Sequence, residues 1–274
     1  MIDLHAHILP GLDDGPELEA ESLAMARTAV MDGITILVAT PHCLDGRYHN
    51  FRDSVQLACN AFNSLLAEEG INLQVLPGAE IRFAPELVEQ MDRGRLMTLN
   101  DTGRYFLLEL PDPFISHVVS HIVFQMAGRG LVPIICHPER NKMIQRDPEQ
   151  LRAILAAGAL SQITGGSLTG QFGRRARETG IRLVKAGMVH FMGSDAHSHK
   201  SRPPRLADAF KALGDLVGSG AAEVVRTVMP RAVLAGEPIC DRHRDIRCFS
   251  RDHRVNEGKV TGLRRLFSHG SLKL

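Results

Sequence analysis

The amino-terminal stretch Met1-Ile2-Asp3-Leu4-His5-Ala6-His7 has the pattern of a buried β-strand that ends in two histidines. Similar short runs of apolar and β-branched residues recur along the chain and alternate with stretches of helical periodicity. This alternation is typical of βα units arranged around a parallel sheet. The predicted strands span residues 1–5, 34–40, 73–76, 105–110, 131–137, 159–164 and 188–193.

The segments between these strands are amphipathic, and several end at a glycine, which accepts the left-handed conformation that terminates a helix. The predicted helices cover residues 19–31, 51–67, 85–92, 116–128, 148–156, 172–185, 206–217 and 222–228. Seven strands of this kind suit an α/β fold with a closed or nearly closed barrel. We therefore predict one domain over residues 1–240, followed by a poorly packed basic tail over residues 241–274.

Composition restricts the possible functions. The chain has 274 residues and 44% hydrophobic content, which is enough for a substantial core. Its formal net charge of +1 argues against general nucleic-acid binding, although residues 241–274 carry +5 and the remainder −4. No apolar run is long enough for a membrane span and no secretory signal precedes the first strand, so the sequence predicts a cytoplasmic protein. The five cysteines include no Cys-x-x-Cys pair, which favours reduced thiols.

Histidines and carboxylates stand at the end of one predicted strand after another. They are His5, His7, His42, Glu80, Glu109, His137, Asp195 and His197. In a parallel barrel the strand ends meet on one face, where buried carboxylates would raise one another's pKa unless cations neutralised them. Imidazole and carboxylate donors without thiolate suit manganese, iron or zinc in a catalytic site. The number of donors exceeds what one ion uses and predicts two or three metal ions.

Two arginines are expected at the same face. Arg140 lies three residues after His137, and Arg202 lies seven residues after Asp195. A guanidinium stays charged and matches the oxygens of a phosphate bidentately. Together with the metal ligands, these arginines predict a metal-dependent phosphoesterase.

Several motifs resemble one known family. They are Met-Ile-Asp-Leu-His-Ala-His-Ile-Leu-Pro-Gly-Leu-Asp-Asp-Gly-Pro at residues 1–16, Ala-Thr-Pro-His at 39–42, Pro-Gly-Ala-Glu-Ile at 77–81, Cys-His-Pro-Glu-Arg-Asn at 136–141, Gln-Ile-Thr-Gly-Gly-Ser-Leu at 162–168 and Gly-Ser-Asp-Ala-His at 193–197. The set looks like the polymerase and histidinol phosphatase (PHP) superfamily. Within it, the motifs resemble the manganese-dependent bacterial protein-tyrosine phosphatases of capsule and exopolysaccharide loci (CpsB/YwqE type). The resemblance extends from residue 1 to about residue 236.

The resemblance implies a distorted (β/α)7 TIM-like barrel of the PHP type that holds three divalent metal ions, manganese or alternatively iron or zinc. One ion would be bound by His5, His7, Glu80 and Asp195, and Glu80 would bridge to a second ion bound by Glu109 and His137. The third would be bound by Asp14, His42 and His197. Asp14 enters only through the resemblance, because Asp13-Asp14-Gly15-Pro16 by itself reads as a turn.

From these residues we infer a mechanism in which a metal-bridging hydroxide would attack phosphorus while Arg140 and Arg202 hold the phosphate oxygens. Inorganic phosphate would be the product. We assign no general acid, because a phenolate of pKa about 10 leaves with less help from a proton than an alkoxide does. The resemblance also implies a phosphotyrosine protein as substrate, such as a bacterial tyrosine autokinase.

Alternative functions remain open at the level of sequence. A small-molecule phosphatase of the histidinol-phosphatase kind would keep the same ligands and differ in the loops around Arg47-Tyr48 and Arg202-Pro203-Pro204. A non-catalytic module could use the basic tail to dock on a kinase or, weakly, on an anionic membrane surface. Cys248 and Arg254 have the Cys-x5-Arg spacing of thiol-based tyrosine phosphatases, but the intervening residues lack the glycine that such a phosphate loop requires, so we interpret the spacing as coincidence.

Overall fold

Strands and helices alternate along the computed structural model, which describes residues 1–114, 116–239 and 245–247. The strands are β1 (Ile2–Ala6), β2 (Ile36–Ala39), β3 (His42–Cys43), β4 (Gln74–Pro77), β5 (Glu80–Arg82), β6 (Tyr105–Glu109), β7 (Val132–Cys136), β8 (Leu160–Thr164) and β9 (Phe191–Gly193). The helices are α1 (Glu19–Met31), α2 (Arg52–Glu68), α3 (Leu87–Asp92), α4 (Ser116–Ala127), α5 (Lys142–Arg146), α6 (Glu149–Ala156), α7 (Gly165–Thr169), α8 (Gly173–Lys185), α9 (Ala207–Val217), α10 (Ser219–Glu223) and α11 (Met229–Leu234). Within these ranges, none of the helices is both long and apolar enough to span a bilayer.

The strand ladders are parallel and form two sheets in the described part of the chain. One sheet has the order β1-β2-β4, and the other has the order β3-β5-β6-β7-β8-β9. The predicted α/β class with parallel strands is confirmed. The interior strands β6, β7 and β8 are almost wholly buried, as expected for strands covered by helices on the outside.

The sequence predicted a closed or nearly closed barrel, and the resemblance implied a distorted (β/α)7 TIM-like barrel. The described residues form two sheets and no closed barrel. The short strand β9 ends at Gly193, and the chain then turns at Asp195, whose φ is 52°. The connection to β1 is made by the segment after β9, where Asp195 N donates to His5 O (2.8 Å) and His7 N donates to Ala196 O (2.8 Å). Because β9 stops before it can pair along β1, the two edges meet at a bridge between Ala6 and Ala196 instead of a ladder.

The second and third predicted strands each bend and continue, which the sequence analysis missed. Pro41 lies in the chain between β2 and β3, and it cannot donate a hydrogen bond to a neighbouring strand because it lacks an N–H group. Opposite this bend, a Cβ on Gly78 would lie 2.6 Å from Val38 Cγ1, so the chain passes too close for any side chain. The bend transfers His42 and Glu80 to the second sheet, where the register places them side by side.

The loop after β7 is shaped by local capping. Pro138 opens a short 3-10 turn at Pro138–Arg140, and Asn141 then caps α5 by accepting hydrogen bonds from Met143 N (3.0 Å) and Ile144 N (3.3 Å). Neither α5 nor α7 was predicted, because each has only five residues. The turn and the cap together fix the path of the loop after β7 and therefore the position of Arg140.

The predicted basic tail is described only at residues 245–247. There the side chain of Ile246 is fully buried in the core, and Arg247 Nη1 donates to Lys185 O (3.3 Å) at the end of α8. The rest of the tail, including Cys248 and Arg254, lies outside the described residues.

Candidate active site

The first group of predicted ligands converges at the carboxyl end of β1. The nearest donor atoms of His5, His7, Glu80 and Asp195 lie within 4.8 Å of one another. Glu80 Oε2 is 3.3 Å from His5 Nε2 and 3.2 Å from His7 Nε2, and Asp195 Oδ1 is 3.5 Å and 3.6 Å from the same two nitrogens. All four side chains are buried, although they come from three distant parts of the sequence.

A second group adjoins the first through His7. It consists of His7, Asp14, His42 and His197, again with donor atoms within 4.8 Å of one another. Asp14 Oδ1 lies 3.4 Å from His42 Nε2 and 3.4 Å from His197 Nε2. The side chain of Asp14 is 48% exposed, so this group faces the solvent side of the site.

Glu80 connects the remaining predicted ligands. Its Oε1 lies 2.6 Å from His137 Nε2 and accepts a hydrogen bond from Cys136 Sγ (3.0 Å), while its Oε2 lies 3.2 Å from His42 Nδ1. Glu109 clusters with His42 and Glu80 instead of with His137, and it also accepts a hydrogen bond from Arg82 Nη1 (2.9 Å). The structure therefore brings all nine predicted ligands to one face, but it divides the second implied group in two.

The two buried carboxylates are held in their ionised form. Burial alone would raise the pKa of Glu80, yet the neighbouring His5 and His137 hold this pKa well below its usual value. Burial is likewise outweighed at Asp195, whose pKa is lowered by His5 and Arg140. Burial lowers the pKa of His5, which favours the neutral imidazole that a metal ion requires.

Two of these residues occupy unusual backbone conformations. His137, directly after β7, has φ 38°, and Asp195, after β9, has φ 52°. Non-glycine residues rarely adopt the left-handed region, and when they do so it is often at functional sites. Each residue follows the end of a parallel strand, and its side chain lies among the candidate metal ligands.

Asp13 is a site residue that the sequence analysis did not identify. Its Oδ2 accepts hydrogen bonds from His7 Nδ1 (2.6 Å) and from the backbone N–H of His42 (3.0 Å), and its Oδ1 accepts from Gly15 N (3.0 Å). The hydrogen bond from Gly15 N to Asp13 Oδ1 forms the turn that the sequence predicted. Asp14, the next residue, lies beside His42 and His197. The adjacent acidic pair was the available signal, but sequence could not assign the two roles.

Gln162 on β8 is a second such residue. Its amide nitrogen lies 3.0 Å from His5 Nδ1, and its amide oxygen is buried without a hydrogen-bond partner among the described residues. Amide oxygen and nitrogen are assigned from the hydrogen-bond network. With the two atoms exchanged, the amide oxygen would accept a hydrogen bond from His5 Nδ1–H, and His5 Nε2 would be free to bind a metal ion. A polar side chain within an apolar strand was the signal in the sequence.

The two predicted arginines meet at the edge of the first group. Arg140 Nη2 and Arg202 Nη2 each lie 2.7 Å from Asp195 Oδ2. Phe172, which immediately precedes α8, lies beneath both guanidinium groups, with its ring centroid 4.8 Å from Arg140 Cζ and 5.5 Å from Arg202 Cζ. An open cleft of about 600 Å³ begins beside Asp14 and His197 and extends along residues 198–202.

Known proteins resemble the chain along most of its length. Residues 1–235 match the family model described as capsular polysaccharide synthesis, CpsB/CapC. The tyrosine-protein phosphatase YwqE of Bacillus subtilis is 41% identical over 219 residues, covering 80% of this chain and 86% of YwqE. CapC of Staphylococcus aureus is 37% identical over 212 residues, covering 77% of this chain and 82% of CapC.

The fold also matches an experimental structure. A solved chain from a study of YwqE from Bacillus subtilis and CpsB from Streptococcus pneumoniae, described as unique metal-dependent tyrosine phosphatases, has a TM-score of 0.83 and 39% identity. The match covers 88% of this chain and 96% of that chain.

Proposed function

Because the chain belongs to the CpsB/CapC family of capsular polysaccharide synthesis proteins, we propose that it is a metal-dependent protein-tyrosine phosphatase. The observation that carries this proposal is the convergence of nine imidazole and carboxylate ligands with two arginines on one face. The relatives' names supply phosphotyrosine as the substrate class. We propose a phosphotyrosine protein, such as a tyrosine autokinase, as the partner in the reaction and inorganic phosphate as the product.

The donor set fits divalent metal ions. His5 Nε2 and His7 Nε2 lie 3.4 Å apart, and the buried His42 Nδ1 lies 3.2 Å from Glu80 Oε2 but forms no hydrogen bond within the described ranges. Imidazole nitrogens directed at one another and at ionised carboxylates form a favourable arrangement when a cation lies among them. We propose three manganese ions, with iron or zinc as alternatives, held by the nine ligands named above. When bound, such ions lower the pKa of water and neutralise phosphate charge.

The residues of the chain itself position the phosphate. Arg140 and Arg202 each use one Nη2 on Asp195, which leaves further N–H groups to donate to the non-bridging oxygens of a phosphate. The carboxylate of Asp195 thereby keeps two positive groups close together that would otherwise repel. The open cleft beside Asp14 and His197 admits an aromatic ring carried on a peptide. The ring leaves as a phenolate, so we assign no general acid.

Metal analysis combined with substrate comparison tests the proposed function. We expect the manganese-loaded protein to hydrolyse a phosphotyrosine peptide faster than a phosphoserine peptide or histidinol phosphate, and we expect chelation to abolish the activity. Replacing Glu80 with glutamine should lower the metal content and reduce kcat by a factor of about 10² or more, since Glu80 belongs to three of the four groups of candidate ligands in the described part of the chain.

The matched control is Glu68→Gln, which removes an exposed carboxylate at the end of α2 and should change neither quantity. Equal rates for the metal-free and metal-loaded protein would disprove the metal mechanism. Faster turnover of histidinol phosphate than of the peptide would instead assign a small-molecule phosphatase.

A further inference from the structure

A second concave region lies between α5 and α8, beside the loop that carries Arg140. It has a volume of about 570 Å³. We call it the basic groove, and its cationic lining residues are Lys142, Arg146, Arg175 and Arg182. Glu178 is the acidic residue among those that line it. The groove thus concentrates positive charge in a part of the chain, residues 1–240, whose formal net charge is −4.

These charges are poorly neutralised within the protein. Arg146 and Arg175 form no ion pair with any residue that the structure describes. Lys142 Nζ is 3.9 Å from Asp112 Oδ2, which is the limit of an ion pair, and Arg182 Nη2 donates to the backbone oxygen of Gln145 (2.8 Å). Because all four side chains are exposed, their charges are available to a ligand.

Helix stability does not explain the arginines at the start of α8, although Arg182 in its last turn is placed favourably for the helix dipole. Arg174 and Arg175 are among the first residues of this helix, and its first turn has no acidic side chain. Positive charges at a helix amino terminus oppose the helix dipole, so their placement there is unfavourable for the isolated helix. A negatively charged ligand in the groove would reverse this effect.

The groove adjoins the proposed phosphate site. Lys142 is two residues from Arg140, so their Cα atoms lie within about 7.6 Å of each other. Arg175 is three residues from Phe172, on which Arg140 stacks. An extended peptide advances about 3.3 Å per residue, so residues two to four positions from a bound phosphotyrosine lie roughly 7–13 Å from it, a span that covers the separation of Arg140 and Lys142.

We propose that the basic groove binds acidic side chains of the phosphotyrosine substrate, located two to four residues from the phosphotyrosine. This inference rests on the proposed function and adds a preference for acidic flanking sequence. Exposed ion pairs contribute modestly, so two or three of them favour an acidic peptide by roughly 5-fold in kcat/KM.

Phosphotyrosine peptides with matched flanks test this preference. One peptide carries glutamates at the second to fourth positions before the phosphotyrosine, another carries them after it, and a third has glutamines at both sets of positions. At about 20 mM salt we expect the manganese-loaded protein to prefer one glutamate peptide through a lower KM, and this preference should shrink at about 200 mM salt.

The double variant Arg146→Gln/Arg175→Gln should reduce the ratio of kcat/KM values for that glutamate peptide and the glutamine peptide to about 1. The control variant Lys211→Gln/Arg231→Gln removes the same charge from exposed positions on α9 and α11, and it should keep the ratio of the unaltered protein. Equal kcat/KM for the three peptides, or a preference that survives in the groove variant, overturns the groove proposal alone. Failure to hydrolyse any of the peptides would overturn the proposed function, and the groove proposal with it.

Discussion

Asp13 and Asp14 are neighbours in the chain, yet they have different roles. Asp14 lies beside the Nε2 atoms of His42 and His197. Asp13 contacts Nδ1 of His7, the ring nitrogen that does not face the candidate ligands. Burial would raise the pKa of Asp13, but His7 outweighs it and the pKa is lowered. The ionised Asp13 therefore keeps the proton of His7 on Nδ1 and turns Nε2 towards Glu80, as an orienting carboxylate does for a metal-binding histidine.

The substitution Asp13→Asn tests this orienting role. We expect the affinity for manganese to fall by about 10- to 100-fold, because the amide contacts His7 without a charge and no longer fixes its orientation. Competition with a chelator of known affinity measures the change. Asp215→Asn, at an exposed position of α9, serves as the control and should bind the metal as tightly as the unaltered protein. An unchanged affinity in Asp13→Asn would show that the contact has no orienting role.

At the scale of elements, Phe172 at the start of α8 contacts side chains from two loops that are distant in sequence. Arg140 follows β7 and Arg202 follows β9, but both stack on Phe172. An aromatic ring attracts a guanidinium through its quadrupole and also restricts its movement. Phe172 thus acts as a positioning residue for the proposed phosphate clamp, and it is not itself one of the candidate metal ligands.

Replacing Phe172 with leucine keeps an apolar side chain but removes the ring. Two cation–π contacts of about 0.5–1 kcal/mol each predict a roughly 5- to 30-fold loss in kcat/KM. The inhibition constant for inorganic phosphate should rise in parallel, and Phe172→Tyr should restore both values. A variant that loses thermal stability but binds phosphate normally would indicate a packing role only.

At the scale of the whole molecule, the chain near residue 240 remains attached to the α/β core. Tyr105 Oη donates to Glu237 O (2.7 Å) and accepts a hydrogen bond from Ile239 N (3.2 Å). Ile246 is fully buried beyond this point. Residues on both sides of position 240 therefore contribute to packing, while the boundary at this position stays a prediction.

Truncations measure the contribution of the last described residues. We expect a chain that ends at Arg247 to retain its Tm, whereas a chain that ends at Ile239 loses the burial of Ile246. Removing a buried isoleucine side chain costs about 2–5 kcal/mol, which lowers Tm by roughly 5–15 °C for a protein of this size. The full-length variant Ile246→Ala should reproduce most of the loss. Identical Tm values for the two truncated chains would contradict the burial of Ile246.

The sequence by itself determined the alternation of strands and helices, apart from the short elements β3, β5, α5 and α7, and it supplied the residue types that converge at the candidate site. The bounds of β1, β6, α1 and α8 were predicted to within one or two residues. In these elements the spacing of apolar residues distinguishes a strand from a helix and indicates which face is buried. Histidines and carboxylates at the strand ends were recognisable because parallel strands bring those ends together.

Only the tertiary structure decided how these parts meet. The bend at Pro41 and Gly78, the early end of β9 and the division of the ligands around Glu80 depend on close approach between segments that are far apart in sequence. The roles of Asp13 and Phe172 depend on partners at other positions, and no local pattern encodes them. Local patterns record which residues are buried, whereas distances between side chains are set by the packing of the whole chain.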